Sequence, residues 1–262
     1  LSKRQFLIDR PKKKPFFSII TVVKNDEQNI EKTIKSIINQ NLKDFEYIII
    51  DGNSTDQTVK KILNFKNNIK HFIREEDDGI YFAMNKGAKI ATGKVICFVN
   101  SGDILMRDSL KNIKKKFDEN TNVKFVFGTV TRHYTKSTIL KYGFNRKKLF
   151  FNFDFATSHS TGFYLNLNEF KNVNYFDTKY KCSSDYDLYY KLIIKKNLTG
   201  SFTNKDQIIG EVASGGYSSK ISFWGHLLEE TKIRFNNRQN IFMIFICILN
   251  ALVRKFLKLL IK

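Results

Sequence analysis

The chain has 262 residues, 42% of them hydrophobic and 14% aromatic, which is ample for a large core and excludes disorder as the main state. Its formal net charge of +20 points to a polyanionic partner (nucleic acid, an anionic membrane surface or phosphorylated ligands) or to a heavily solvated lysine-rich surface. Cys97, Cys182 and Cys247 lie far apart with no paired spacing, which argues against a disulfide framework or a cysteine zinc site and suits a reducing compartment.

Residues 1–15 hold six basic side chains against one acid and lack an apolar h-region, so they read as a basic arm and not as a secretory signal. The chain opens on Leu1, which leaves room for a start methionine or short leader ahead of it. Phe16–Val23 is almost continuously apolar, as expected of a strand buried on both faces of a parallel sheet. Asn25, with Gln28 three residues on, predicts a helix start of capping-box type, followed by Ile30, Ile34, Ile37 and Ile38 at helical spacing.

Phe45–Ile50 is a second buried strand, ending in Asp51-Gly52-Asn53-Ser54-Thr55-Asp56, where Ser54 is placed to cap a helix carrying Val59, Ile62 and Leu63. Ile69–Ile73 is a shorter strand, Ile80–Ile90 a helix, and Lys94–Val99 a strand that runs into Asn100-Ser101-Gly102-Asp103. This alternation predicts an α/β fold with a doubly wound, mostly parallel sheet, in which ligands sit beyond the carboxyl ends of the strands. The named polar clusters fall there.

After Asp108 the texture changes. A helix through Leu110, Ile113 and Phe117 precedes strands near Val123–Val130 and Thr138–Tyr142, a Phe-rich stretch at 144–155 read as core, a strand at Gly162–Leu167 and a helix at Ser184–Lys195. The expected organisation is a basic arm at 1–15, one domain at 16–218 and a helical C-terminus at 219–262. The domain falls into a first half at 16–107 and a second half at 108–218 that extends the sheet in mixed orientation.

From Thr231 to the end there are seven bases and no acid. Ile241–Leu249 is wholly apolar but too short and too soon interrupted to span a bilayer. As a helix it sets Ile241, Ile244, Phe245, Ile248, Leu249, Leu252, Phe256, Leu259 and Leu260 on one face, with Arg254, Lys258 and Lys262 on another. That is the pattern of a terminal amphipathic helix at an anionic membrane surface, or of one packed on the domain or in a homodimer.

Three polar clusters invite chemistry. The Asp51–Asp56 loop and the Asn100–Asp103 loop are built from ordinary turn residues, with Gly102 suited to a positive φ. A lone carboxylate such as Asp103 at a strand end also suits a divalent ion that takes diphosphate oxygens. Asp185 and Asp187 open a helix, where carboxylates favour the N-terminal dipole, and either is a candidate general base.

The joint order of these segments carries a resemblance. FSIITVVKNDEQNIEKTIKSIINQ, FEYIIIDGNSTDQT, EEDDGIYFAMNKGAKIATGKVICFVNSGD, FVFGTV, HSTGFYL and FDTKYKCSSDYDLYYKL, with GEVASGGYS beyond, resemble glycosyltransferase family 2 from about residue 16 to 218. This is the inverting family of GT-A fold, and the branch that builds bacterial O-antigen, capsule or exopolysaccharide is the most similar. The resemblance implies a nucleotide-binding half at 16–107 and an acceptor half at 108–218, with Thr21, Val23 and Asp51 around the base and Asp51 facing uracil. It puts Asp77, Asn85 and Lys86 beside the nucleotide and its diphosphate, together with Asn100, Ser101 and Gly102. Asp103 would hold Mn²⁺ or Mg²⁺, Asp185 would be the catalytic base, and Asp187 and His159 would contact donor or acceptor.

The chain departs from the family pattern where Gly52 replaces a second acid, where Asp103 stands without a second metal-motif acid, and where Phe82 and Ser184 occupy positions often acidic. The implied partners are a UDP-sugar donor and a polyprenyl-diphosphate-linked glycan acceptor, met at the cytoplasmic face of the membrane with no specific nucleic acid. The rival readings are a transferase acting on a protein or soluble sugar, a catalytically inactive basic homologue, and a basic nucleic-acid-binding module, against which no nucleic-acid motif is present.

Overall fold

The computed structural model describes residues 6–7, 14–134, 137–151, 160–215 and 221–260. Among them the strands run β1 (Phe6–Leu7), β2 (Phe17–Val23), β3 (Phe45–Asp51), β4 (His71–Arg74), β5 (Val95–Phe98) and β6 (Ile104–Leu105). They continue as β7 (Phe125–Phe127), β8 (Thr129–Tyr134), β9 (Ser137–Lys141), β10 (Phe163–Asn166), β11 (Gly200–Phe202) and β12 (Ile208–Val212). The helices are α1 (Ile30–Ile38), α2 (Thr58–Leu63), α3 (Ile80–Ile90), α4 (Ser109–Glu119) and α5 (Arg146–Phe151), then α6 (Leu167–Asn172), α7 (Ser184–Tyr189), α8 (Phe223–Asn236) and α9 (Ile241–Leu260).

The main sheet has the order β1-β4-β3-β2-β5-β10-β7-β11. Strands β4, β3, β2 and β5 are parallel, whereas β10 runs antiparallel to both its neighbours. The alternation of side chains along β2 and β3 explains why helices cover both faces. Phe17, Ile19, Tyr47 and Ile49 join α1, α2 and α4 in one apolar layer, and Ile20, Val22, Ile48 and Ile50 join α3 and α7 in the other. Burying each such side chain contributes about 1.5–3 kcal/mol. A second sheet, β6-β12-β8-β9, flanks the carboxyl end of β5 and supports the loop that follows it.

At the opposite end of the main sheet, buried Glu46 accepts hydrogen bonds from the Ser18 hydroxyl at 2.6 Å and the Thr92 amide at 2.6 Å, and pairs with Lys70 at 2.5 Å. One carboxylate thereby ties β2, β3, the entry to β4 and the exit from α3.

Several expectations need correction. Helix α1 starts at Ile30, not Asn25: Asn25 takes φ +51°, and its side-chain oxygen accepts the Thr55 amide at 2.8 Å. Ser54 does not cap α2; its hydroxyl donates to Asp51 at 2.5 Å, and Asp56 instead accepts the Thr58 amide at 3.0 Å. The helix expected at Ser184–Lys195 is α-helical through Tyr189 and widens to π-helical geometry over Tyr190–Lys195.

The Phe-rich stretch is core where it is described, since Phe144 packs on Phe125 and Phe127 and Leu149 is buried, although Phe151 is exposed. On helix α9 the apolar residues divide between the body and solvent. Ile244, Cys247 and Ala251 face the body, whereas Ile241, Phe242, Phe245, Leu249, Val253 and Phe256 are exposed. Lys255 lies over the rings of Phe223 and Trp224 at 4.4 and 4.3 Å. The side chains of Lys258, Leu259, Leu260 and Lys262 lie outside the described set. Among the described residues no helix is long and apolar enough to cross a membrane.

Candidate active site

A cleft of about 440 Å³ opens at the carboxyl ends of β2 and β5. This is the size of a small-molecule site and the position where α/β sheets bind ligands. Asn100, Ser101, Gly102, Asp103 and Asp185 all line it.

The Asn100–Asp103 loop is held from every side. Gly102 takes φ +95°, and its amide donates to the Thr33 hydroxyl at 3.0 Å, which itself donates to the Asp103 carbonyl at 2.8 Å. The Ser101 hydroxyl donates to Asp26 at 2.6 Å. Buried Asp103 accepts from the Thr161 hydroxyl on Oδ2 at 2.5 Å and from the Ala213 amide on Oδ1 at 3.0 Å. The pairing of β12 with β6 delivers Ala213 to that place.

A divalent cation fits the donor chemistry of this loop. Asp103 supplies a carboxylate, and Asn100 supplies an amide Oδ1 that is buried without a hydrogen-bond partner. Both are hard oxygen donors, and Mg²⁺ characteristically uses one or two carboxylates and fills its shell with phosphate and water. A protein-only cage is not available, because no group of three or more His, Cys, Asp or Glu side chains suited to a metal occurs among the described residues.

Asp185 stands in the first turn of α7, partly exposed to the cleft. Its Oδ1 accepts the Tyr186 amide at 2.8 Å and the Tyr81 hydroxyl at 3.2 Å. Burial and then the neighbouring Asp185 charge push the Tyr81 phenol well above its ordinary range, so it stays protonated and donates. Asp187 lies on another side of α7, buried, accepting from Asn237 at 2.8 Å and pairing with Lys191 at 2.6 Å. It does not line the cleft.

The other expected residues divide. The parity of β2 turns Val22 toward the cleft and Val23 into the opposite layer. Thr21 is fully buried, donating to the Val99 carbonyl at 2.7 Å. Asp51 is fully buried as well, accepting the Ser54 amide at 3.0 Å and facing Arg74 at 3.5 Å. Asn85 exchanges two hydrogen bonds with the Phe176 backbone, at 2.8 and 3.0 Å.

Asp77 and Lys86 form an ion pair, joined by Glu75 at 2.9 Å from Lys86. Burial alone would lower the Lys86 ammonium, but its hydrogen bonds to Asp77 and Glu75 outweigh that and hold it above its ordinary value. A Cβ at Gly52 would come within 3.3 Å of the Lys24 side chain and 3.6 Å of Asp77, so an acid there would press on Lys24 and set a second carboxylate beside Asp77. His159 lies outside the described residues.

Sequence reasoning missed Asp26, Tyr81, Arg132 and Cys182, all of which line the cleft. Asp26 had a signal, since it follows the apolar run of β2 by a few residues. Arg132 and Cys182 had none, because their approach depends on the second sheet and on α8.

A mostly parallel sheet covered on both faces, with an oxygen-rich loop after its central strand β5 and a carboxylate lining the same cleft, defines a GT-A-like α/β fold. The chain belongs to glycosyl transferase family 2, whose profile matches residues 18–178, and it is a glycosyltransferase. A PGL/p-HBAD biosynthesis glycosyltransferase of Mycobacterium bovis is 30% identical over 179 residues, covering 66% of this chain and 68% of that protein. The GalNAc(5)-diNAcBac-PP-undecaprenol beta-1,3-glucosyltransferase of Campylobacter jejuni is 33% identical over 109 residues, 40% of this chain and 35% of that one.

Among solved structures, S. aureus TarS in complex with UDP-GlcNAc superposes with a TM-score of 0.65 at 17% identity, covering 86% of this chain and 68% of that one. Mannosyltransferase PcManGT from Pyrobaculum calidifontis, in complex with GDP-Man and Mn²⁺, gives 0.66 at 17%, covering 95% and 72%. At these identities the likeness shows the fold alone.

Proposed function

We propose that the chain is an inverting, metal-assisted transferase that moves a sugar from a UDP-sugar to a hydroxyl of a lipid-linked glycan. The observation that carries this reading is the convergence of Asp185 and the Asn100–Asp103 loop on one cleft. The acceptor hydroxyl gives its proton to Asp185 as its oxygen bonds to the anomeric carbon. The bond from that carbon to the diphosphate breaks on the opposite face, and the electron pair leaves with the phosphate oxygen. General-base assistance of this kind supplies about 10²–10⁴-fold.

Asp103 and Asn100 would hold Mn²⁺ or Mg²⁺, which when bound neutralises charge on the departing diphosphate. Lys24 and Arg132 add positive charge at the same cleft. The undecaprenol-linked substrate in the name of the Campylobacter jejuni relative supports a lipid-linked acceptor. The exposed apolar stripe of α9 and the bases around it support contact with an anionic membrane surface, where such an acceptor resides.

Calorimetric titration with UDP, GDP, dTDP and CMP, each with and without Mn²⁺, tests the donor class. The expected result is metal-dependent binding of UDP alone. Preference for another nucleotide would overturn the uracil reading, and no binding of any would overturn the transferase reading. Asp185→Asn should reduce turnover by about 10²-fold or more while leaving UDP affinity within about twofold. Unchanged turnover would remove Asp185 from its role.

A further inference from the structure

Glu229, on the second turn of α8, lies outside the segments that resemble the family and does not line the cleft. Its carboxylate accepts three successive backbone amides: Lys181 on Oε1 at 2.7 Å, and Cys182 and Ser183 on Oε2 at 2.9 and 3.0 Å. The Cys182 thiol also reaches Oε2, at 3.1 Å. Burial, offset in part by the Ser183 hydroxyl and reinforced by the hydrogen bond to Glu229 and its charge, pushes that thiol up to about 12, so it is a protonated donor. Desolvation opposes ionisation of Glu229, yet the amide hydrogen bonds outweigh it and hold the carboxyl below its ordinary value.

The three amides belong to the loop that enters α7, and Asp185 follows two residues after the last of them. Helix α8 grips the same segment at further points. Asn236 donates to the Tyr180 hydroxyl at 2.8 Å, and buried Arg234 lies 5.5 and 5.7 Å from the rings of Tyr186 and Tyr190. Those contacts hold the approach to α7 at Tyr180, its body at Tyr186 and its continuation at Tyr190. The Glu229 clamp fixes its entry, which sets where Asp185 meets Tyr81.

We propose that Glu229 is a positioning residue for Asp185, clamping the 181–183 backbone so that the Asp185 carboxylate is presented to the acceptor hydroxyl. The inference rests on the base role given to Asp185 above. Without the clamp, three amides in a half-buried loop lose a charged acceptor. A shift of about 1 Å in a reacting group costs on the order of 10²-fold in rate.

The test follows UDP release from UDP-glucose, UDP-galactose and their N-acetyl forms, with Mn²⁺ present and water accepting the sugar. Glu229→Gln keeps the volume that α8 packs but sets an amide group against the backbone donors; it should lower kcat by about tenfold, and Glu229→Ala by about 100-fold. Donor KM and UDP affinity should stay within twofold of wild type in both, a split that a general loss of folding would not give.

In the Asp185→Asn background, Glu229→Gln should cause no further loss, because its effect passes through the missing carboxylate. Wild-type kcat in Glu229→Gln, or the same tenfold loss with Asp185 already removed, overturns the proposal. Failure of the underlying reading shows separately. If the wild-type chain binds no UDP, or Asp185→Asn turns over normally, the base assignment falls and the positioning role falls with it.

Discussion

Gly102 illustrates how one residue can serve two demands. Its φ of +95° closes the turn that returns Asp103 to the cleft, and its missing side chain leaves room for Ala213, whose Cβ would be 3.2 Å away. An acid at this position would meet both constraints at once, which gives a structural reason for Asp103 standing alone in the loop. Gly102→Ala should destabilise the protein by about 1–3 kcal/mol, the usual cost of a side chain in that region of backbone space. Because the strain falls on the loop proposed to hold the metal, it should also weaken Mn²⁺-dependent UDP binding by about tenfold. Thermal melting and calorimetry on the same sample check both parts, and unchanged metal-dependent binding would detach Gly102 from the site.

At the scale of elements, Glu46 makes a separate prediction. Desolvation raises its carboxyl pKa, but hydrogen bonds from Lys70, Ser18 and Thr92 outweigh that and hold it below its ordinary 4.5. A carboxyl depressed in the folded state contributes stability in full above its unfolded value and loses it as the pH falls through the folded value. Wild-type stability should therefore fall below pH 4.5, and Glu46→Gln should be less stable at neutral pH and flatter across that acidic window. Denaturant midpoints measured across that range test it, and parallel pH profiles for the two proteins would refute it. UDP binding at neutral pH should be unaffected, because the knot lies at the far end of the sheet.

Elements were also where the sequence was most readable. The Ile80–Ile90 helix was legible at both ends, and the β2 and β3 strands to within a residue, because continuous apolar runs and helical periodicity are local signals. Asn25 and Ser54 misled because each is engaged across the 25–58 interface, which no local window reports. Asp103 and Asp185 were legible as polar residues after a strand and at a helix start. Strand parity, which sets Val22 toward the cleft and Val23 into the opposite layer, was not weighed, and Glu229 was invisible because its partners lie more than forty residues away.

On the scale of the molecule, α8 and α9 join a candidate membrane face to the site. Phe242, Phe245, Leu249, Val253 and Phe256 recur along one side of α9, all exposed. Removing residues 241–262 should release the protein from vesicles containing anionic lipid, measured by sedimentation, while leaving UDP affinity within about twofold. Replacing Phe242 and Phe245 together by Ser should weaken vesicle binding by about tenfold or more, since each buried aromatic contributes about 1.5–3 kcal/mol. Retention of either variant on the vesicles would argue against α9 as the contact.

The antiparallel placement of β10 between β5 and β7 has a consequence for how the chain is made. β5 is wholly buried in the finished protein, yet during synthesis its open flank waits for Phe163–Asn166 to emerge. Until then Val95-Ile96-Cys97-Phe98 is a bare apolar edge of the kind that pairs indiscriminately with other chains. Fragments that stop short of β10, such as residues 16–107 alone, should therefore partition into the insoluble fraction of an expressing cell, as sedimentation of the lysate would show.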